Sequence, residues 1–314
     1  MGGIGIILNQ NAGKRQPFRG HIGEKLAFVL GDPQSLCATS RVEQIGDVAR
    51  AFRQKDIDIL GISGGDGSNH YVLTTFIDLY GEHPLPRVAF LCGGTHNAHA
   101  ASLGIQGSPE KLLDQIVRKY HTGERFSLAQ RKTLKVNDGK GVRYGFTMAT
   151  GFMFRFYQEL HVHQDDTPWK VTKHLGSWAG SALIGGRWIR EMFRREPVQI
   201  TVGEQRLPWD EYNGMACSTM ERIGLGLTPF PRANENPRMF HMSAFRMKPT
   251  AFVGIIWSIK RGIIPRHPDQ HTDITERIVL EAEEPISYVL DGELYHGTPR
   301  LEILTGPTLE VILP

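Results

Sequence analysis

The chain predicts an α/β half built on a parallel sheet, followed by a mostly antiparallel β half. Three observations carry this. Short apolar runs alternate with amphipathic helices as far as about residue 125. Two glycine-rich turns each follow one of those runs directly. Beyond Phe126 the rhythm changes to strand-length segments with hairpin signals. The expected boundaries are 1–127 and 128–314, with the last strand free to return to the first domain.

The runs Ile4–Leu8, Ile57–Ile62 and Val88–Cys92 are compact enough for buried strands. Between the first two, Ser40 with Glu43 three residues on predicts a capping box. It opens a helix to Lys55, with Val42, Ile45, Val48, Ala49 and Phe52 on one face. Ser108-Pro109 opens another helix, whose stripe is Leu112, Leu113, Ile116, Val117 and Tyr120. Strands alternating with helices imply a parallel sheet covered on both faces. Ligands then sit beyond the carboxyl ends of the strands.

In the second half, Lys132–Val136 and Val142–Ala149 flank Asn137-Asp138-Gly139, a hairpin signal. Further strands are predicted at Val198–Val202, Met215–Ser218, Met239–Phe245, Arg277–Glu281, Leu301–Leu304 and Leu309–Leu313. Helical or irregular insertions are expected around Trp169–Arg195 and Pro249–Ile264.

Composition narrows the function classes. Lys plus Arg is 36 against 33 Asp plus Glu, a net charge of +3, too balanced for a protein that coats nucleic acid. With 40 % hydrophobic and 22 % charged residues, the chain can fill an ordinary core. No apolar run approaches the ~18 residues that span a bilayer. Cys37, Cys92 and Cys217 lie far apart, in no metal spacing, and no basic leader precedes Ile4. The expectation is a reduced, cytoplasmic protein that binds no nucleic acid.

The chemistry is concentrated in Gly61-Ile-Ser-Gly-Gly-Asp-Gly-Ser-Asn-His70, between a predicted strand and a helix carrying Val72, Leu73, Phe76, Ile77 and Leu79. Gly64, Gly65 and Gly67 permit a sharp turn whose N–H groups can approach an anion. The helix start adds its positive dipole end. Asp66 suits a metal ion, a proton or a ribose hydroxyl rather than a phosphate. A second glycine turn, Cys92-Gly-Gly-Thr-His-Asn-Ala-His99, and a third candidate, Asn9-Gln-Asn-Ala-Gly-Lys14, also follow strands. Neither the Walker A pattern nor Gly-x-Gly-x-x-Gly occurs.

These turns, in this order, resemble the diacylglycerol kinase and sphingosine kinase catalytic family, including the bacterial soluble lipid kinases. Asn9–Lys14 is similar to that family's Asn-Pro-x-Ser-Gly-Lys turn, and Gly64-Gly-Asp-Gly-Ser68 to its Gly-Gly-Asp-Gly-Thr loop. Gly94-Thr-His-Asn97 resembles its Gly-Thr-x-Asn turn, Leu103-Gly-Ile105 the segment that follows, and Asp291-Gly-Glu293 its Asp-Gly-Glu motif. The first loop is shared with NAD kinases; Asp291-Gly-Glu293 and the β-rich second half favour the lipid kinases.

The resemblance implies an NAD kinase/diacylglycerol kinase-like α/β nucleotide-binding domain and a β-sandwich lipid-substrate domain. It implies ATP-dependent phosphoryl transfer to a lipid alcohol with Mg2+. The implied nucleotide contacts are Asn9, Gly13, Lys14, Thr39, Gly64, Gly65, Gly67, Ser68, Gly94, Thr95 and Asn97. Asp291, Glu293 and Asp66 are the implied catalytic carboxylates, with Asp66 at the metal. A sphingoid-base or small-alcohol kinase, and a non-catalytic nucleotide- or lipid-binding protein, stand as alternatives. The chain departs from the family pattern where His70-Tyr71 replaces Asn-Glu, the sphingosine kinase branch also carrying His at the first of these. Ala98, Ser127 and Asn236 stand where acids are usual, which is the ground for the non-catalytic alternative.

Three further features have a plainer reading beside a functional one. His161-Val-His163-Gln-Asp165-Asp166 could grip a transition metal, but a solvated loop explains it better. His96 and His99 flank the second glycine turn. Trp178–Arg195 and Ala251–Arg266 combine apolar runs with tryptophan and terminal cations. They fit either peripheral membrane contact or a core or homodimer surface.

Overall fold

The computed structural model describes residues 2–12, 21–95, 97–162, 186–223, 226–264 and 266–314. The chain divides into two units, Met1–Arg131 with Pro307–Pro314, and Lys132–Gly306. Gly13 and Lys14, His96, the segment from His163 to Asp166, and Trp178 lie outside the described residues.

The first unit runs β1 (Ile4–Asn9), α1 (Ile22–Leu30), a single 3-10 turn (Pro33–Ser35), β2 (Leu36–Thr39), α2 (Glu43–Lys55), β3 (Ile59–Ser63), α3 (Asp66–Tyr80), β4 (Arg87–Phe90), α4 (Ala98–Ser102) and α5 (Pro109–Thr122). Its strands are parallel in the order β4-β3-β1-β2. Ile6, Ile7, Leu60, Ile62 and Phe90 are almost wholly buried, as both-sided cover requires. Because β1 has β2 on one side and β3 on the other, the chain reverses direction across the sheet beside β1. In such sheets that switch point, at the carboxyl ends of the strands, is the ligand crevice.

Helix stripes follow the sequence pattern. Leu112, Leu113 and Ile116 of α5 and Val72, Leu73, Phe76 and Ile77 of α3 are buried. Each such side chain contributes roughly 1.5–3 kcal/mol on leaving water. The start of α2 differs from expectation. Gln44 Oε1, rather than Glu43, accepts from the N–H groups of Ser40 and Arg41. The helix begins at Glu43, and Val42 stays 44 % exposed.

After β5 (Ser127–Asn137), the second unit holds β6 (Val142–Gly145), β7 (Thr147–Thr150), α6 (Phe152–Val162), α7 (Arg187–Met192), β8 (Glu196–Pro197), β9 (Gln199–Val202), β10 (Gln205–Arg206), β11 (Glu211–Tyr212), β12 (Gly214–Ser218) and β13 (Phe240–Phe245). It continues with α8 (Pro249–Lys260), β14 (Gln270–Thr275), β15 (Arg277–Glu281), β16 (Ser287–Leu290), β17 (Glu293–His296) and β18 (Arg300–Leu313). One sheet has the order β14-β13-β12-β7-β16-β17, antiparallel throughout. Facing it are β10-β9-β15 and the first half of β18, with β5 and β6 alongside.

Met148, Cys217, Met242 and Tyr288 from one sheet meet Leu134, Ile200, Ile278 and Ile303 from the other in one buried cluster. This is a mostly antiparallel β-sandwich. A second cluster on the outer face of the antiparallel sheet takes Phe152 from α6 and Phe252 and Ile255 from α8.

Two sequence expectations are corrected. Leu301–Leu304 and Leu309–Leu313 form one strand of 14 residues, since Gly306-Pro307 continues the extended chain instead of turning it. Its first half pairs antiparallel with β15, and Val311 pairs parallel with Val88. Helix α6 stands where only the insertions after it were expected. Among the described residues no helix is long and apolar enough to cross a membrane.

Candidate active site

In the first unit, the carboxyl ends of β1, β3 and β4 bring the three sequence turns together. Asn9 closes β1 and is fixed at both ends of its amide. Its Oδ1 accepts from Asn11 N–H at 2.9 Å, and its Nδ2 donates to Ser68 Oγ at 2.8 Å. Thr39, paired in register with Asn9, is buried, and its carbonyl accepts from Gln10 N–H.

The turn after β3 flows without a loop into α3, a helix of 15 residues whose N-cap is the extended Gly65. The first helical bond is donated by Asn69 N–H to Gly65 C=O. The N–H groups of Asp66, Gly67 and Ser68 precede it and have no partner within the helix. No side chain caps this end. It is therefore a cluster of donors at the positive end of a helix dipole, suited to phosphate oxygens.

The turn after β4 is pressed onto that end. A Cβ on Gly94 would stand 2.2 Å from Gly65 Cα, and one on Gly93 would stand 2.6 Å from Gly64 N. Glycine is required here by backbone contact. Asn97 closes the turn, accepting from Gly94 N–H at 3.2 Å and donating to Gly94 C=O at 3.0 Å. Gly94 thus acts through its lack of a side chain, because its N–H is already engaged. Thr95 beside it is exposed. The residue before the turn, Cys92, takes φ of 50°, a left-handed conformation outside the range most side chains adopt.

Asp66 has a role not visible in the sequence. Its Oδ2 accepts from Ala98 N–H at 2.8 Å and its Oδ1 from His99 N–H at 3.0 Å. The carboxylate thereby holds the start of α4. His99 is buried, with Nδ1 3.4 Å from Asp66 Oδ1. Ala98 contributes through its backbone N–H, which any residue but proline would supply, so the sequence carries no signal for it.

In the second unit, Asp291 and Gly292 are the two central residues of the β16–β17 hairpin. Both have positive φ, 51° and 92°, as a type I′ turn requires. The Asp291 carboxylate is not spread into solvent. Both oxygens lie 3.0 Å from Phe146 N, and Oδ1 accepts from Thr147 N–H at 2.9 Å. Its own N–H donates to Thr147 C=O. The Phe146 carbonyl accepts from Thr219 N–H and from Ser218 Oγ, which bonds Thr147 Oγ1 in turn. Asp291 is thus tied to the β6–β7 junction, and that junction to β12. Glu293 opens β17, half-buried.

Asn236, one of the positions lacking an acid, lies in a loop closed by a cation of the chain itself. The buried Lys132 ammonium donates to the carbonyls of Ala233, Asn236 and Met239 at 3.0, 2.6 and 2.5 Å. Ser127, a second such position, is the exposed first residue of β5.

Residues 4–125 match the family model of the diacylglycerol kinase catalytic domain. No curated protein is significantly similar to the chain. A crystal structure of a diacylglycerol kinase from Bacillus anthracis is 17 % identical, covers 99 % of this chain and 97 % of its own, and gives a TM-score of 0.67. A provisionally assigned diacylglycerol kinase of the same organism reaches 0.72 at 18 % identity, with the same coverage. Yeast NADH kinase in complex with NADH shares the fold more distantly, with a TM-score of 0.51 at 11 % identity over 100 % of this chain and 84 % of that one. At these identities the structural likeness speaks for the fold. Residues 4–125 therefore carry the likeness to the diacylglycerol kinase catalytic domain, and the chain as a whole shares the fold of the Bacillus anthracis structures.

Proposed function

We propose that the chain is an ATP-dependent kinase that transfers the γ-phosphoryl group to the hydroxyl of a diacylglycerol-like lipid, working from the cytoplasm. One observation carries this reading. The uncapped start of α3, held by Gly94 against Gly65, is a phosphate-suited donor cluster within the residues that match the catalytic-domain family. The N–H groups of Asp66, Gly67 and Ser68 would receive the ATP phosphates, with Asn9 orienting the Ser68 hydroxyl.

Magnesium fits this donor set only as an ion carried largely by the nucleotide. No group of three His, Cys, Asp or Glu stands together among the described residues. Asp66 offers one carboxylate whose oxygens each already accept an N–H bond. Phosphate oxygens and water would supply the remaining ligands. When bound, the ion neutralises charge on the transferring group. Asp291 and Glu293 are the assigned acceptors of the hydroxyl proton, and the N–H contacts of Phe146 and Thr147 hold the Asp291 carboxylate in one place.

A second reading, a nucleotide- or lipid-binding protein without catalysis, is favoured by the backbone bonds that occupy both Asp66 and Asp291. The test is ATP consumption with magnesium on diacylglycerol, monoacylglycerol, sphingosine and ceramide, alongside Asp291→Asn. Turnover on diacylglycerol that disappears in the variant is expected. Turnover confined to sphingosine would move the substrate class. Calorimetric ATP binding with no turnover on any lipid would replace the proposal with the second reading.

A further inference from the structure

We infer that the outward face of α8 and the turn after it form a docking surface for an anionic lipid bilayer. The inference rests on the proposed lipid substrate for its purpose, and on the following geometry for its place. Helix α8 turns Ala251, Phe252, Ile255 and Ile259 inward onto the aromatic cluster with Phe152. The opposite face carries Gly254, Trp257 and Arg261, spaced by three and four residues.

Trp257 is 68 % exposed, although a tryptophan brings one of the largest apolar areas of any side chain. Ile263, in the turn that follows, is 55 % exposed. Two large apolar side chains are thus exposed six residues apart on one helix and its following turn.

Charge says what that surface meets. From Lys248 to Pro268 the chain carries Lys248, Lys260, Arg261 and Arg266, and no Asp or Glu. All four cations are exposed, and no carboxylate pairs with them among the described residues. Lys260 Nζ lies 5.6 Å from the centre of the Trp257 ring, so charge and ring are side by side. A cation-flanked tryptophan beside an aliphatic residue suits the headgroup boundary of a bilayer, where indole is favoured and anionic phosphates accept the cations. A second copy of this chain is a poor occupant, because a two-fold contact would set like charges against each other.

The test is flotation of the whole chain on vesicles of phosphatidylcholine with and without phosphatidylglycerol. Binding is expected only with the anionic lipid. Lys260→Glu with Arg261→Glu should weaken it by at least roughly 30-fold. Trp257→Ser with Ile263→Ser should weaken it by roughly tenfold. Thermal unfolding should be unchanged in both, since the four residues pack on the outside.

No flotation of the unaltered protein on anionic vesicles would overturn the inference, as would flotation that neither variant reduces. So would concentration-dependent dimerisation abolished by Trp257→Ser. Turnover of a dispersed short-chain diacylglycerol separates the two readings. If flotation depends on these residues but no lipid is phosphorylated, the surface stands and the kinase reading falls. Phosphorylation of the dispersed lipid without flotation gives the reverse.

Discussion

Gly94 packs against Gly65 so closely that a methyl group on Gly94 would lie 2.2 Å from the Gly65 Cα. The obstructing atom is backbone, so no side-chain rotation can relieve the clash. The turn that follows β4 and the helix start that follows β3 are therefore one rigid piece. Gly94→Ala must push them apart. Overpacking of this kind costs about 1–3 kcal/mol. Urea unfolding should register that loss, and calorimetry should show ATP affinity falling by tenfold or more. Unchanged ATP affinity in a folded variant would mean that the α3 start is not the phosphate site.

Asp291→Asn keeps a residue type tolerated at positive φ, so the hairpin itself should survive. The substitution puts an amide NH2 where one oxygen now lies near Phe146 N. Leaving a donor opposite a donor costs about 1–3 kcal/mol. The expected result is a modest loss of stability, loss of turnover on lipid alcohol, and ATP binding that is little changed. Full turnover in the variant would remove Asp291 from the chemistry and leave Glu293 as the assigned base.

Lys132→Met is expected to be among the most damaging conservative-volume changes in the second unit. It keeps the apolar stem but removes the ammonium shared by the carbonyls of Ala233, Asn236 and Met239. Among the described residues that leaves Asn236 only the Met239 N–H, and the other two no donor in its place. A loss of about 3 kcal/mol or more should appear in chemical denaturation. Stability within a few tenths of the parent would show that water satisfies those carbonyls equally well.

His241 makes stability depend on pH. It is buried, and burial drives its pKa from 6.5 down to about 4. The nearby Arg232 charge acts in the same direction, and Glu235, Asp273 and the Phe230 backbone act against it. Because the unfolded chain takes up a proton at higher pH than the folded one, the neutral form stabilises the fold above pH 6.5. That contribution is lost as pH falls from 6.5 towards 4. The loss reaches about 3 kcal/mol once both states are protonated. His241→Gln should flatten this part of the stability profile; a profile of unchanged slope would rule out His241 as its source.

Much of the site was legible because its chemistry is local. Gly64-Gly-Asp-Gly-Ser68 and Gly94-Thr-His-Asn97 lie directly after buried strands, and glycine there marks a sharp turn whose backbone can be approached closely. The pairing of Ser68 with Asn9 spans 59 residues, and no local pattern announces it. The same holds for Asp66. Its residue type pointed to metal or proton chemistry, while its observed partners are the N–H groups of Ala98 and His99, which carry no side-chain signature. At α2 the local rule itself went to a neighbour, since Gln44 reaches Ser40 with the geometry expected of Glu43.

Periodicity and turn chemistry in the sequence alone determined the parallel α/β half, the antiparallel β half and the phosphate-suited turns, since each depends on neighbours within one element. Only the tertiary structure decided that Gly94 is needed for backbone contact with Gly65, and that Lys132 closes the Ala233–Met239 loop. It also decided that Trp257 faces outward while Ile255, two residues away, is buried. Those outcomes depend on which distant backbone arrives beside each residue. The cost of an unmet polar group or an overfilled gap is set there, not by the residue's place in the chain.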